Sequence, residues 1–176
     1  MMKTVRKIFM AWEFEEEERW LNQMSADGWH LVKSNGVTHH FEQGEPGAYH
    51  YKVQMVEKDE SYLNFLEEMG IEHVGTCFNG MWIYLRKAGG ESFEIFSDRE
   101  SKVKHLQKIH RLMKIFIILL TVCMLMEVLM AHGGGSTAFT VCYLLIVLPM
   151  NLWFSHGLGE ISEKIRRLQR EAELYQ

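Results

Sequence analysis

The sequence predicts an α+β fold: a tandem βαββ repeat forming a largely antiparallel sheet with two helices, followed by a two-helix transmembrane hairpin. Three observations lead there. WLNQMSADGWHLV at 20–32 matches YLNFLEEMGIEHV at 62–74 at an offset of 42 residues. Each copy then reaches an Asn-Gly pair, Asn35-Gly36 and Asn79-Gly80, between β-rich runs. Asn-Gly favours a type I′ hairpin because both central residues tolerate positive φ. Finally, residues 115–154 are almost wholly apolar apart from the short stretch HGGGST.

The elements follow in order. A strand is predicted over 5–12, then a helix over about 15–27, stopped by Gly28. A hairpin pairs 29–34 with 37–42. After the turn Gly44-Glu45-Pro46-Gly47 comes a strand over 49–56, then a helix over about 59–69 stopped by Gly70. A second hairpin, 71–78 with 81–87, closes the unit. Phe14, Leu21 and Met24 fall on one helical stripe, and Tyr62, Leu66 and Met69 on the other, which marks them as core. The acidic run 15–18 suits a helix N-terminus, where carboxylates match the macrodipole. It reads as a solvated first turn or as an acidic docking surface.

Ser97-Asp98-Arg99-Glu100 has the capping-box form. The helix it opens meets no breaker before Gly133, which gives about 35 residues, or roughly 50 Å. Gly89-Gly90 just upstream is a flexible point on which the head can swivel. The resulting organisation is a cytoplasmic duplicated βαββ domain at 1–95, a basic juxtamembrane helix at 97–114, a transmembrane hairpin at 115–158 and a cytoplasmic C-terminal helix at 159–176. In that last helix, Ile161, Ile165, Leu168 and Ala172 recur at helical spacing.

The hairpin arms, 115–131 and 138–154, are each about 17 residues, the lower end of what spans a hydrocarbon core of about 30 Å. A soluble bundle would show polar residues every three or four positions, and these runs do not. Lys102, Lys104, Lys108, Arg111 and Lys114 precede the pair; Lys164, Arg166, Arg167 and Arg170 follow it. The positive-inside bias therefore places the protein in the cell membrane with both termini cytoplasmic. No signal peptide is expected at residues 1–12, which lack a continuous apolar stretch.

Charge divides along the same lines. Residues 1–96 carry nine Lys/Arg against 16 Asp/Glu, a net of −7, while 97–114 carry six against two, a net of +4. An acidic head argues against direct nucleic-acid binding, which needs clustered cations. The basic stretch suits an anionic lipid leaflet. Three cysteines without a CxxC read as reduced thiols used as small hydrophobes.

Chemistry is sparse. His40 and Glu42 alternate onto one strand face, and His50 points the same way if Tyr49, Tyr51 and Val53 face the core; His39 faces the other way. Two histidines and a carboxylate suit a divalent metal, but no HxH, HExxH or CxxC spacing supports one. No GxSxG or phosphate-cradling glycine loop occurs. No cofactor is expected, and the chain reads as a non-enzyme. Glu127 is the one charge within a span. It either snorkels outward or is protonated, bonds a neighbouring helix at a residue such as Asn151 or Tyr143, or serves transport or a proton relay. The weak interaction candidates are thus Glu127, Asn151, His40 and His50.

KIFMAWEFEEEERWLNQMSADGWHLV, FEQGEPGAYHYKV and IFSDRESK, followed by two spans, resemble the domain of unknown function 2812, a group of membrane proteins from Gram-positive bacteria. The resemblance assigns no catalytic residue. Genes of that family often neighbour PadR-like transcriptional regulators, so it implies a role in a membrane-stress or drug-response circuit. The leading expectation is a membrane-anchored regulatory or protein-interaction module whose acidic head tethers a PadR-like regulator. Alternatives are a small-molecule sensor, for which Trp12, Trp20, Trp29 and Trp82 supply aromatic surface, and an accessory subunit of a membrane transporter using Glu127 and Asn151.

Overall fold

Two βαββ segments follow one another in the first 95 residues. The first comprises β1 (Met2–Arg6), α1 (Phe14–Ala26), β2 (Trp29–Ser34) and β3 (Thr38–Gln43). The second comprises β4 (Tyr49–Met55), α2 (Glu60–Glu68), β5 (Ile71–Cys77) and β6 (Trp82–Ala88). This computed structural model describes residues 1–56, 60–89, 93, 95 and 99–173. The capping box at 97–100 and Gly90 of the Gly89-Gly90 pair lie wholly or partly outside them. The chain divides into two units, Met1–Ile95 and Phe96–Gln176.

The strands form two three-stranded antiparallel sheets rather than one, ordered β1-β3-β2 and β4-β6-β5. The two segments therefore share element order and strand pairing. The break between sheets has a local cause. β2 and β5, the edges that approach each other, each carry a register shift, between Leu31 and Lys33 and between His73 and Gly75. Such bulges increase twist and interrupt pairing. Side chains bridge the gap instead: the Leu31 N–H donates to Tyr51 Oη (2.9 Å), and Arg86 Nη1 donates to the Leu31 carbonyl (3.3 Å). Gly75 permits the approach, since a Cβ there would lie 3.1 Å from Ser34 N and 3.2 Å from its carbonyl oxygen.

The second sheet is buried on both faces. Ile83 and Leu85 pack with Leu66, Ile71 and Phe93 on the α2 side. Tyr51, Val53, Trp82 and Tyr84 turn the other way, towards α1 and the first sheet. Phe14, Leu21 and Met24 are buried as their spacing requires. On α2, Leu66 is buried but Met69 is 49% exposed, because the helix ends at Glu68 before that turn reaches the sheet.

Two local expectations need correction, the first strand and the first hairpin. The first strand covers 2–6, not 5–12, and residues 7–13 leave the sheet to carry Trp12, 3% exposed, into the core. At the first hairpin only Gly36 takes positive φ (85°), and Asn35 instead accepts from the N–H groups of Val37 and Thr38. The second hairpin turns through four residues, with Phe78, Asn79 and Gly80 all at positive φ. The first is therefore not a two-residue type I′ turn, whereas in the second Asn79 and Gly80 both take positive φ and Met81 N–H donates to the Phe78 carbonyl (3.2 Å), as the Asn-Gly pair predicts.

The second unit is a pair of long helices, α3 (Arg99–His132) and α4 (Thr137–Glu173). Both are long and apolar enough to cross a membrane. Helix α4 runs unbroken through Pro149, Gly157 and Gly159, so residues 159–173 extend the second arm rather than form a separate helix. Its positions towards α3 recur in steps of three, four or seven, through Thr140, Val147, Asn151, Phe154, Ile161 and Ile165, the seam of a two-helix coil. Burial differs along that seam. Leu106, Ile109, Met113, Ile161 and Ile165 are buried beyond the apolar runs. Within those runs Ile118, Leu129, Leu145 and Ile146 are each more than 60% exposed. A soluble helix pair would bury such residues, whereas a bilayer would solvate them.

Candidate functional site

The most ordered polar arrangement in the head lies where α1 runs along β4. Glu18, Asn22 and Ser25 occupy one helical stripe, at i, i+4 and i+7. They meet alternate residues of β4, whose outward backbone groups no described strand pairs. Val53 N–H donates to Glu18 Oε1 (3.0 Å). Asn22 Oδ1 accepts from Tyr51 N–H (2.8 Å), and its Nδ2 donates to the Tyr51 carbonyl (3.1 Å). Ser25 Oγ donates to the Tyr49 carbonyl (2.6 Å). Lys52 closes the end of the seam with an ion pair to Glu18 Oε2 (3.0 Å). The amide of Asn22 thus plays the part of a missing strand partner. Burial raises the Glu18 carboxyl above its ordinary range, against the pull of Lys52.

Behind this seam Glu17 is 7% exposed and accepts a 2.7 Å bond from the Tyr84 hydroxyl. Burial pushes its pKa up to about 7, an effect that the Tyr84 bond only partly offsets. Burial likewise raises the Tyr84 hydroxyl and takes the Cys77 thiol up to about 11, which leaves Cys77 a poor nucleophile. Glu17, Cys77, Tyr84, Phe14, Val53 and Trp82 line an internal volume of about 20 Å³. That is room for one water, not for an organic ligand.

His39 is the fully buried histidine. Its Nε2 lies 3.1 Å from the Lys7 carbonyl, so this nitrogen donates. Its Nδ1 then accepts from Ser34 Oγ at 3.0 Å. Burial lowers its pKa, which keeps the ring neutral. The ring meets Trp20 edge-on at 4.9 Å and ties the segment after β1 to the core.

The histidines singled out from sequence do not converge. Tyr49, Tyr51 and Val53 do face the core. His40 lies in the first sheet, bonded to Thr4 Oγ1 (3.1 Å), and His50 lies in the second, edge-on to Phe93 at 5.9 Å. No group of three metal-ligating side chains occurs among the described residues. His50 borders an open polar groove along the seam, with Glu18, Arg19, Asn22, Gln23 and Lys52. Two of the four acidic residues at 15–18 are committed inward, so the run is not simply a solvated turn. Trp12 and Trp82 are core, and Trp20 packs between Phe9 and Phe41.

In the hairpin, the two polar residues of interest bond to separate partners. Thr140 Oγ1 donates to Glu127 Oε1 (3.1 Å), and Asn151 Nδ2 donates to Thr121 Oγ1 (3.0 Å). Each bond joins α3 to α4. Glu127 therefore bonds the neighbouring arm at Thr140, neither at Asn151 nor at Tyr143. Beyond the apolar runs, Ser162 Oγ and His110 Nε2 approach to 2.9 Å across the same helices.

Glu18, Asn22 and Ser25 were not legible as a site. The recurring Leu-Asn pair, Leu21-Asn22 and Leu63-Asn64, was the available signal. No curated protein and no solved structure matches the chain. The family model described as "Protein of unknown function (DUF2812)" matches residues 13–120, covering α1 through the first part of α3. That span is well over half of the chain, and the protein belongs to the DUF2812 family.

Proposed function

We propose that the protein is a membrane-anchored, non-enzymatic interaction module whose head presents its surface to a cytoplasmic protein partner. The carrying observation is how the head uses its polar groups. Glu17, Glu18, Asn22, Ser25 and His39 are spent on bonds to its own seam and interior, and the internal volume beside Glu17 is only about 20 Å³. Binding chemistry is left to the exposed surface, and the two apolar helices supply the anchor. A PadR-like regulator, the partner class implied by the family resemblance, is the first candidate.

The test is affinity capture of the tagged full-length protein from native membranes, paired with transcription in a deletion strain. Recovery of the regulator, and altered expression of its targets on deletion, is the expected result. Recovery of no regulator with unchanged transcription rejects the reading. A thermal-shift screen of small molecules provides the contrast, since strong stabilisation by one of them favours a sensor instead.

A further inference from the structure

The two βαββ segments are built alike but finished differently. The open edge of the second sheet, β4, is covered by α1 of the first segment. The corresponding edge of the first sheet, β1, is covered by no described element. Its pairing with β3 uses Lys7 N–H to Val37, and Met1 accepts from Gln43 N–H. By strand alternation, Met2, Thr4 and Arg6 point their N–H and C=O groups away from the sheet. That is the phase at which Tyr49, Tyr51 and Val53 meet the stripe on α1.

The element equivalent to α1 is α2, and the residue equivalent to Asn22 is Asn64, at the repeat offset of 42. Asn64 is exposed, with no partner among the described residues. Phe65 beside it is 53% exposed. One edge thus lacks its helix, and one helix lacks its edge. Charge matches as well: Lys3 and Arg6 of β1 are exposed, as are Glu67 and Glu68 at the end of α2. In the seam already formed, Lys52 meets Glu18 with the same sense.

We propose that β1 of one copy of this chain is covered by α2 of a second copy, with Asn64 bonding the outward backbone of Thr4 as Asn22 bonds that of Tyr51. The contact is heterologous, joining different surfaces of the two chains. An exposed edge strand is an aggregation hazard, and covering it with a helix of the same protein removes the hazard while setting copy beside copy in the membrane.

The experiment uses full-length protein in membranes, with Cys123 and Cys142 replaced by Ala. One population carries Asn64→Cys and the other Thr4→Cys. Oxidation after co-expression should yield a disulfide-linked species of twice the chain mass, absent when either variant is expressed alone. Pairing Asn64→Cys with Glu45→Cys should give at least tenfold less product. Lys3→Glu with Arg6→Glu should lower the Asn64–Thr4 yield at least tenfold, and Glu67→Lys with Glu68→Lys in the partner should restore it.

Absence of the linked species in the co-expressed pair, when both variants reach the membrane folded, overturns the proposal. Equal product in the singly expressed populations also overturns it, because the contact is then isologous. Linkage of Thr4→Cys chiefly to another protein assigns the edge to a different occupant and overturns it too. Should the cysteine variants fail to accumulate, single-molecule subunit counting of the otherwise unaltered chain decides. Single copies refute the proposal. Multiple copies that become single on Lys3→Glu with Arg6→Glu support it; multiple copies that persist refute it.

Discussion

Replacing Asn22 by Ala removes the side chain that satisfies both backbone groups of Tyr51. Three bonds are lost, at 2.8, 3.1 and 2.8 Å, to Tyr51 N–H, Tyr51 C=O and Glu18 C=O. The third acceptor keeps its place in the helix ladder, so its loss costs little. The two groups on Tyr51 matter, since the edge is half-covered and water enters it only in part. An unsatisfied backbone group costs about 1–3 kcal/mol when buried. Partial access lowers the pair to a total of roughly 2–3 kcal/mol, discounted from that range. For a head of this size that corresponds to a fall of about 10–20 °C in Tm. The assay is thermal unfolding of the detergent-solubilised full chain, followed by tryptophan fluorescence, since Trp12 and Trp82 are buried in the head. Asn22→Asp keeps the acceptor for Tyr51 N–H but loses the donor and sets a second carboxylate beside Glu18, so it should fall between wild type and Asn22→Ala. Gln23→Ala, one residue along on the exposed side, should change stability by less than about 0.5 kcal/mol. A Tm for Asn22→Ala within error of Gln23→Ala would refute the role assigned to the seam.

Three further outcomes are expected. Glu17 holds its proton to about pH 7 in the folded head but only to the ordinary carboxyl value of 4.5 when unfolded. Its contribution therefore falls as pH rises between those values, by roughly 3 kcal/mol in all. Glu17→Gln should match wild type at pH 4 and exceed it at pH 8 in parallel melts, whereas an equal difference at both pH values contradicts the burial argument. His39, whose depressed pKa acts in the opposite direction, is common to both proteins and cancels in that comparison. Glu127→Gln keeps an oxygen to accept from Thr140, so membrane accumulation and co-purification should be unchanged; a lost phenotype with an intact fold would instead give the carboxylate charge a transport role. Reporters fused at residue 176 and before residue 1 should both read as cytoplasmic, with a cysteine introduced at 134 labelled only from outside; the reverse pattern removes the charge-bias argument.

Much of the backbone plan was readable because its signals are local. Gly28 and Gly70 end their helices at positive φ, as a residue without Cβ permits. The 3.6-residue spacing of Phe14, Leu21 and Met24 anticipated the core face of α1. Strand and hairpin positions in the second segment followed from β-rich runs between Asn-Gly pairs. The misplaced first strand shows the limit of that logic. Residues 7–12 have strand-like composition, but Trp12 gains more from burial beneath the helix than from extending an edge.

The apolar arms, their flanking cations and the acidic balance of the head follow from the order of residues alone, because hydrophobic length and net charge do not depend on packing. The tertiary structure decided what the polar residues of α1 do. Four glutamates in a row look equivalent, yet the helix turns Glu17 towards Tyr84, Glu18 towards the β4 edge, and Glu15 and Glu16 to solvent. It likewise sent His40 and His50 to different sheets, because β3 pairs with β1 and β2 while β4 pairs with β6. Side-chain direction is set by the periodicity of one element, but a partner is set by the element opposite. For Asn22 that partner is an unpaired strand edge 29 residues further along the chain.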